Sequence, residues 1–208
     1  MNLKKQRGMT LLEVIIVLGI MGVISAGVVI LAQRAIDNQN VSKLSQALNT
    51  IQTAMVQTYR SKQSYPDVLQ DAVKAKKLTD ALVSMGRVTE SDLINPFTGA
   101  PMLIFTAKDN KAANRGFAIK VSDLSKDQCT SLISNSADLF SFIEVQNRGT
   151  AMAADFYVDP DATKSVGVIK STKGGAKTLD LTNLDHISAL CGGPGAGDSY
   201  FDVFVGNR

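Results

Sequence analysis

Histidine, cysteine and tryptophan are scarce in this chain of 208 residues, and that scarcity excludes several kinds of site. The sequence holds one histidine (His186), two cysteines and no tryptophan. A metal site built from several histidines is therefore excluded, and a catalytic triad would have to use His186. This residue follows Asp185 in a short predicted helix, where a structural or surface role is the better interpretation. The two cysteines match neither a zinc-binding nor a C-x-x-C spacing.

Two other segments contain residue types that bind ligands in proteins, but each lacks part of the required pattern. The glycine-rich stretch Gly192 to Gly197 is followed by a predicted strand, so it lacks the helix N-terminus that a phosphate cradle needs. Asp155, Asp159 and Asp161 could ligate calcium, but their spacing is not that of an EF-hand, and a solvated acidic loop is the alternative. We therefore predict no enzymatic activity, no cofactor and no metal site.

An excess of charge is also missing once the first eight residues are set aside. The formal net charge is +3, from 22 basic and 19 acidic residues. Lys4, Lys5 and Arg7 supply all of the excess, so the chain from Met9 onward has as many basic as acidic residues. A neutral chain offers no electrostatic basis for binding nucleic acid, and its neutrality favours self-association.

What the chain does contain is one long apolar run, from Met9 to Ala32. Only Thr10, Glu13 and Ser25 are polar among its 24 residues. As a helix, such a run spans the roughly 30 Å hydrocarbon core of a bilayer. The basic residues before the run place the N-terminus in the cytoplasm and the remainder of the chain on the other side of the membrane.

Glu13 is unusual because it lies one helical turn inside this apolar run. A carboxylate in hydrocarbon costs about 2.5–3.5 kcal/mol on insertion scales, so it needs a cationic partner. The run contains no basic residue, and the nearest candidate is an α-amine created by cleavage between Gly8 and Met9. A secretory cleavage site would follow the apolar stretch, whereas Gly8 precedes it. Cleavage here would therefore keep the apolar segment on the mature chain.

These residues resemble a known family: KKQRG followed by MTLLEVIIVLGIMGVISAGVV is similar to the type IV prepilin signal. In that family a membrane peptidase cuts after the glycine and methylates the new N-terminal amine, and the retained helix packs into a filament. The resemblance implies cleavage after Gly8, methylation of Met9, and pairing of Glu13 with a neighbouring subunit's N-terminal amine. Met9, and a helix without proline, indicate the type IVb branch, although the leader is short for that branch.

The function implied by the resemblance is that of a major pilin, like the toxin-coregulated, longus and colonisation-factor pilins of enteric bacteria. Such a subunit serves adhesion, bacterial aggregation and colonisation. The implied partners are further copies of the chain, a prepilin peptidase, the pilus assembly machinery and the inner membrane before assembly. The implied locations are the inner membrane for the precursor, with its globular domain in the periplasm, and then the extracellular pilus.

Three alternatives remain open at this point. They are a pseudopilin of a type II secretion system, a minor pilin, and a membrane-anchored enzyme or binding module with an uncleaved signal-anchor. Glu13 argues against the last, because an anchor alone has no use for a carboxylate one turn inside the membrane. The two cysteines and Met9 argue against the pseudopilin.

The apolar pattern predicts that one helix extends from about Met9 to Arg60. From Val41 to Tyr59 the apolar residues recur every three or four positions, which is typical of one buried helix face. Within the apolar half, Gly22 and Ala26 form a small-xxx-small pair that lets helices approach closely. Ordinary glycines of a membrane helix are the alternative interpretation.

The remainder of the chain predicts an α+β fold in which this helix packs on a mainly antiparallel sheet, the αβ-roll of the resembled family. Pro66 ends the helix, short helical patterns follow to residue 94, and Asn95 to Gly99 is a turn. Further helices are predicted from Ser125 to Ser134, capped by Ser125 or Asp123, and from Thr182 or Asn183 to Leu190. The predicted strands are Met102–Thr106, Gly116–Val121, Phe140–Val145, Ser165–Lys170 and Tyr200–Val205.

Cys129 and Cys191 are predicted to form a disulfide, because both lie on the extracytoplasmic side of the membrane. Two buried free thiols are the alternative. The predicted organisation is a leader at residues 1–8, a membrane or filament-core segment at 9–35, and a globular domain at 36–208 that includes the amphipathic half of the helix.

Overall fold

The computed structural model describes residues 10–62, 64–68, 71–107, 114–148, 168–170, 191–192 and 200–207. The chain divides into two compact units, Met1–Gln39 and Asn40–Arg208. Helix α1, Leu11–Tyr59, supplies residues to both units, and each unit is described by itself below. The predicted long helix is therefore confirmed over its described part.

The part of α1 in the second unit is amphipathic, as its spacing predicts. Its buried residues recur every three or four positions, so they lie on one face of the helix. They are Val41, Leu44, Ala47, Leu48, Ile51, Ala54 and Met55. This face packs in the hydrophobic core of the unit, which identifies the second half of α1 as its central helix.

Two short helical segments and a turn follow α1. Helix α2 is Ala72–Ser84, and the carboxylate of its N-cap residue Asp71 accepts hydrogen bonds from the backbone N–H groups of Val73 and Lys74. A 3-10 helix, Glu90–Leu93, begins after the N-cap Thr89. The predicted turn at Asn95 is present, since the N–H of Gly99 donates to the carbonyl of Asn95 at 2.8 Å and Gly99 has a φ of 71°.

Five antiparallel strands form one sheet in the described part of the chain. They are β1 Leu103–Ala107, β2 Gly116–Leu124, β3 Phe142–Asn147, β4 Val168–Lys170 and β5 Phe201–Asn207. Their order is β1-β2-β5-β3-β4. The predicted strands and the predicted α+β class are confirmed, with shifts of a few residues at the strand ends, and residues 165–167 of the predicted strand Ser165–Lys170 lie outside the described residues. The C-terminal strand lies near the middle of the sheet, between β2 and β3.

The two faces of the sheet differ in chemistry because side chains alternate along each strand. One face contributes apolar side chains to the core, among them Ile119 of β2, Val205 of β5 and Ile143 of β3, which are adjacent in register. The other face carries polar groups. Asp202 is only 4% exposed, and its carboxylate forms an ion pair with the Nζ atom of Lys120 at 2.8 Å, so its buried charge is compensated.

The end of α1 is fixed by aromatic packing. The rings of Tyr59 and Tyr65 meet edge to face at 5.7 Å, and Tyr65 meets Phe117 at 5.3 Å. Burial raises the pKa of both tyrosine hydroxyls above the usual 10.0. Because the folded state favours the neutral hydroxyls, this contribution to stability is complete below pH 10 and is lost as the pH rises above it.

Helix α3, Lys126–Ser136, confirms the helix predicted from Ser125 to Ser134. Ser125 is its N-cap and forms a capping box with Gln128, whereas Asp123, the other candidate, lies in the irregular end of β2. Other predictions lie outside the described residues. They are the helix from Thr182 or Asn183 to Leu190, which contains His186, the aspartates at 155, 159 and 161, and positions 193–197 of the glycine-rich loop.

Candidate functional sites: the apolar helix and the disulfide

The first unit exposes the apolar residues of α1 on all sides of the helix. Leu11 is 78% exposed and Val23 is 76% exposed, and the other large apolar side chains between them are at least 40% exposed. A continuous apolar surface of this extent is found where a protein contacts lipid or another protein. The helix is long and apolar enough to cross a membrane, a test that an N-terminal signal sequence would also pass. This segment is therefore the main candidate contact site of the chain.

Glu13 occupies the first turn of α1. Its backbone N–H donates to the side-chain Oγ1 of Thr10 at 3.3 Å and to the carbonyl of Thr10 at 3.1 Å. A carboxylate in the first turn is stabilised by the partial positive charge at the helix N-terminus. Among the described residues no lysine or arginine forms an ion pair with Glu13.

Gly22 and Ala26 lie four residues apart on the same exposed helix, so they share a face. A Cβ atom placed on Gly22 would meet nothing within 4 Å, and the same holds for Gly19 and Gly27. These glycines are therefore not required by packing within a single chain. Gly8 and Met9, the predicted cleavage and methylation residues, lie outside the described residues.

The predicted disulfide is present in the structure. Cys129 and Cys191 are bonded, their Cα atoms are 5.8 Å apart, and both side chains are fully buried. Cys129 lies on α3, so the bond fixes the Cys191 segment to this helix. The side chain of Lys126 passes over Gly192, where a Cβ atom would come within 2.8 Å of the lysine Cε.

Nothing in the described residues resembles a catalytic site. No group of three or more histidine, cysteine, aspartate or glutamate side chains among them is arranged to hold a metal ion. A groove of about 410 Å³ lies between α2 and the segment from Glu90 to Leu103, and neither histidine nor cysteine lines it. The groove therefore offers no nucleophile-histidine pair.

Sequence reasoning missed two arrangements that the structure shows. Thr10 caps α1, although the T-x-x-E pattern of a capping box was visible in the sequence. Asp123 has a φ of 62°, its N–H donates to Oδ1 of Asp202 at 3.2 Å, and its carboxylate accepts an ion pair from Nε of Arg148 at 2.6 Å. This network joins β2 and β5 to Arg148, the residue that follows β3, and no local sequence signal predicts it.

Comparison with known proteins adds two family matches. Residues 81–206 match the family described as the toxin-coregulated pilus subunit TcpA. Residues 3–29 match the prokaryotic N-terminal methylation motif.

Similar proteins of known identity support the same assignment. The chain is 50% identical over 206 residues to the toxin coregulated pilin of Vibrio cholerae serotype O1, covering 97% of this chain and 90% of that protein. A second Vibrio cholerae toxin coregulated pilin is 49% identical with the same coverage. The crystal structure of TcpA, a type IV pilin from the El Tor biotype of Vibrio cholerae, matches with a TM-score of 0.69 and 40% identity over 82% of this chain and 99% of that one. The chain therefore belongs to the toxin-coregulated pilus subunit family and is a type IV major pilin, a structural subunit that forms a pilus.

Proposed function

We propose that the chain is made as an inner-membrane precursor, cleaved after Gly8 by a prepilin peptidase, methylated at Met9, and assembled into an extracellular type IVb filament. The N-terminus of the precursor is cytoplasmic and the globular domain periplasmic. The match to the methylation motif supports processing, and the family supports polymerisation. The observation that carries the proposal is the exposed apolar half of α1 with a carboxylate in its first turn.

The exposed apolar half of α1 suits two successive environments. Hydrocarbon surrounds it in the precursor, and the same half of other copies surrounds it in the filament. Both environments remove the apolar side chains from water, at about 25 cal/mol for each Å² buried. Gly22 and Ala26 favour the second environment, because small residues let neighbouring helices come close and gain packing contacts.

Glu13 distinguishes these two environments. In lipid the Glu13 carboxylate raises the free energy of membrane insertion by about 2.5–3.5 kcal/mol, so replacing Glu13 by an apolar residue would ease insertion. In the filament each Glu13 faces the cationic N-terminal amine of an adjacent copy. Leaving one member of such a buried pair without its partner costs about 3–5 kcal/mol. Methylation preserves the positive charge of the amine and so preserves the pair.

The proposed organisation follows from these roles. Residues 1–8 are the leader, residues 9–35 form the membrane and filament-core segment, and residues 36–208 form the globular domain. The partners are further copies of the chain in a helical filament, the prepilin peptidase and the pilus assembly machinery. The filament serves adhesion, bacterial aggregation and colonisation. Nucleic acid is not a partner, because the chain from Met9 onward is neutral.

Mass spectrometry of the exported protein tests the processing steps. The expected intact mass is that of a chain that begins at Met9, carries one added methyl group, and has lost two hydrogens to the disulfide between Cys129 and Cys191. A Gly8→Val variant is the matched control, because a larger side chain at the scissile bond should leave an uncleaved precursor in the inner membrane. An exported chain that still begins at Met1, or one that lacks the Met9–Ala32 run, would contradict the proposal.

A further inference from the structure

The side chain of Lys126 crosses between the same two segments that the disulfide joins. Cys129 lies on α3 and is bonded to Cys191. Lys126 precedes Cys129 by three residues on α3, so the two side chains lie on one face of the helix, about one turn apart. The lysine Cδ, Cε and Nζ atoms lie 2.9, 2.8 and 3.0 Å from the position that a Cβ atom would have on Gly192. Lys126 therefore reaches the residue that directly follows Cys191.

The room for this lysine explains why position 192 is a glycine. Among the described glycines a positive φ occurs at Gly86 and Gly99, whereas the φ of Gly192 lies outside the left-handed region. Its backbone conformation is thus one that other residues adopt. A Cβ atom at position 192 would come closer to the Cδ and Cε atoms of Lys126 than carbon atoms normally do. Glycine therefore leaves the space in which the lysine side chain lies against the backbone.

Reduction of the disulfide requires access to a sulfur atom. An external thiolate bonds to one sulfur, the other sulfur leaves as a thiolate, and a second external thiol completes the exchange. Both cysteines end as thiols, and the two external thiols end as a disulfide. Cys129 and Cys191 are each 0% exposed, so the folded protein must open locally before a thiol in solution reaches either sulfur.

We propose that Lys126 is a strap that protects the Cys129–Cys191 disulfide from external thiols. Its methylene groups pack against Gly192, so the Cys191 segment can separate from α3 only when this contact is lost. The positive charge alone has the opposite effect, because it attracts an attacking thiolate. The protection therefore comes from the methylene groups. The inference depends on the observed disulfide and not on the processing or assembly proposed above.

Loss of the strap should speed reduction by a moderate factor. Each methylene group kept from water changes an equilibrium constant by about 4-fold. Lys126→Ala removes the two methylene groups nearest to Gly192, so we expect the disulfide to be reduced about 3- to 15-fold faster. Gly192→Ala keeps the lysine but displaces it, so its disulfide should also be reduced faster than that of the wild type.

The test measures the rate at which dithiothreitol reduces the full chain in detergent without denaturant, by labelling of the thiols that appear. Lys126→Met keeps an unbranched apolar side chain and loses the charge, so its rate should not exceed that of the wild type. The double variant Lys126→Ala/Gly192→Ala should be reduced no faster than Lys126→Ala, because the added Cβ atom acts only through the lysine. Lys74→Ala removes an exposed lysine from α2 and should have the wild-type rate.

A second control separates local opening from unfolding of the whole unit. Gly206→Ala alters the sheet rather than the strap, so it should lower the urea unfolding midpoint but leave the rate of reduction unchanged. Reduction of Gly206→Ala that speeds up in proportion to its loss of stability would overturn the proposal. Equal rates for the wild type and Lys126→Ala would also overturn it, as would a rate for Lys126→Met as high as that for Lys126→Ala, or additive increases in the double variant.

Discussion

Single residues in this pilin differ in how far the sequence reveals their role. The bond between the two cysteines was predictable, because a pair of extracytoplasmic thiols is chemically unusual wherever it occurs. A carboxylate in an apolar run is just as unusual and singles out Glu13, whose role stays a prediction. Gly206 was not predictable. It lies in β5 directly opposite Ala118, and a Cβ atom there would clash with the Phe117 carbonyl oxygen, well inside the distance of ordinary van der Waals contact. Only the strand pairing shows why this position needs glycine.

Gly206→Ala should destabilise the globular unit. The Cβ atom would lie against backbone rather than a flexible side chain, so β2 and β5 must separate locally, at a cost of about 1–3 kcal/mol or more. Urea unfolding of the full chain in detergent, followed by circular dichroism, measures this loss. Gly192→Ala is the matched control, because its Cβ atom meets only the end of the Lys126 side chain, which can move away. An unchanged unfolding midpoint for Gly206→Ala would contradict the packing described here.

At the scale of elements, the sequence predicted what local patterns determine. Helix α1 was predictable from its three- and four-residue apolar spacing, and α3 from the N-cap Ser125. The order of the strands was not predictable, because β5 pairs with β2 and β3 across long separations in the sequence. The Asp123–Arg148 ion pair depends on the same pairing. Local periodicity carries no information about such distant partners.

The disulfide between α3 and the Cys191 segment should stabilise the globular unit. It closes a loop with a sequence separation of 62 residues, and a loop of this length is worth about 4 kcal/mol in the chain-entropy model. The double variant Cys129→Ser/Cys191→Ser should therefore lose about 2–4 kcal/mol in urea unfolding. In the folded wild type both cysteines are buried and bonded, so a thiol reagent should label neither until the protein is unfolded and reduced. Labelling of the folded, unreduced protein would contradict the bond.

At the scale of the whole molecule, the chain combines two units with different requirements. The unit Asn40–Arg208 has its own core of buried residues, whereas the large apolar side chains of the unit Met1–Gln39 that the structure describes, from Leu11 to Ile36, are exposed in a single chain. The unit Asn40–Arg208 can bury its apolar side chains in its own core in water. The apolar surface of the unit Met1–Gln39 needs lipid or other copies of the chain to cover it. Composition alone also separates two such parts, because the apolar run is continuous and the later helix is amphipathic, and the boundary predicted between residues 35 and 36 stays a prediction.

The central claim is that Glu13 acts in assembly rather than in insertion or folding. Glu13→Val removes a charge that opposes insertion, so the variant should reach the membrane, lose its leader and form its disulfide at normal levels. In the filament, the variant should also leave the cationic N-terminal amine of an adjacent copy without its partner each time a subunit is added. Growth of the filament should therefore be lost. Ser25→Ala is the matched control, because it removes a polar group from the same run without removing a charge.

Electron microscopy of cells that express each variant as their only pilin is the most direct test. Pilus counts per cell are compared with the amount of cleaved, disulfide-bonded subunit in the same cells. The account predicts few or no filaments for Glu13→Val and normal filaments for Ser25→Ala, at equal subunit amounts. Normal piliation by Glu13→Val would contradict the account.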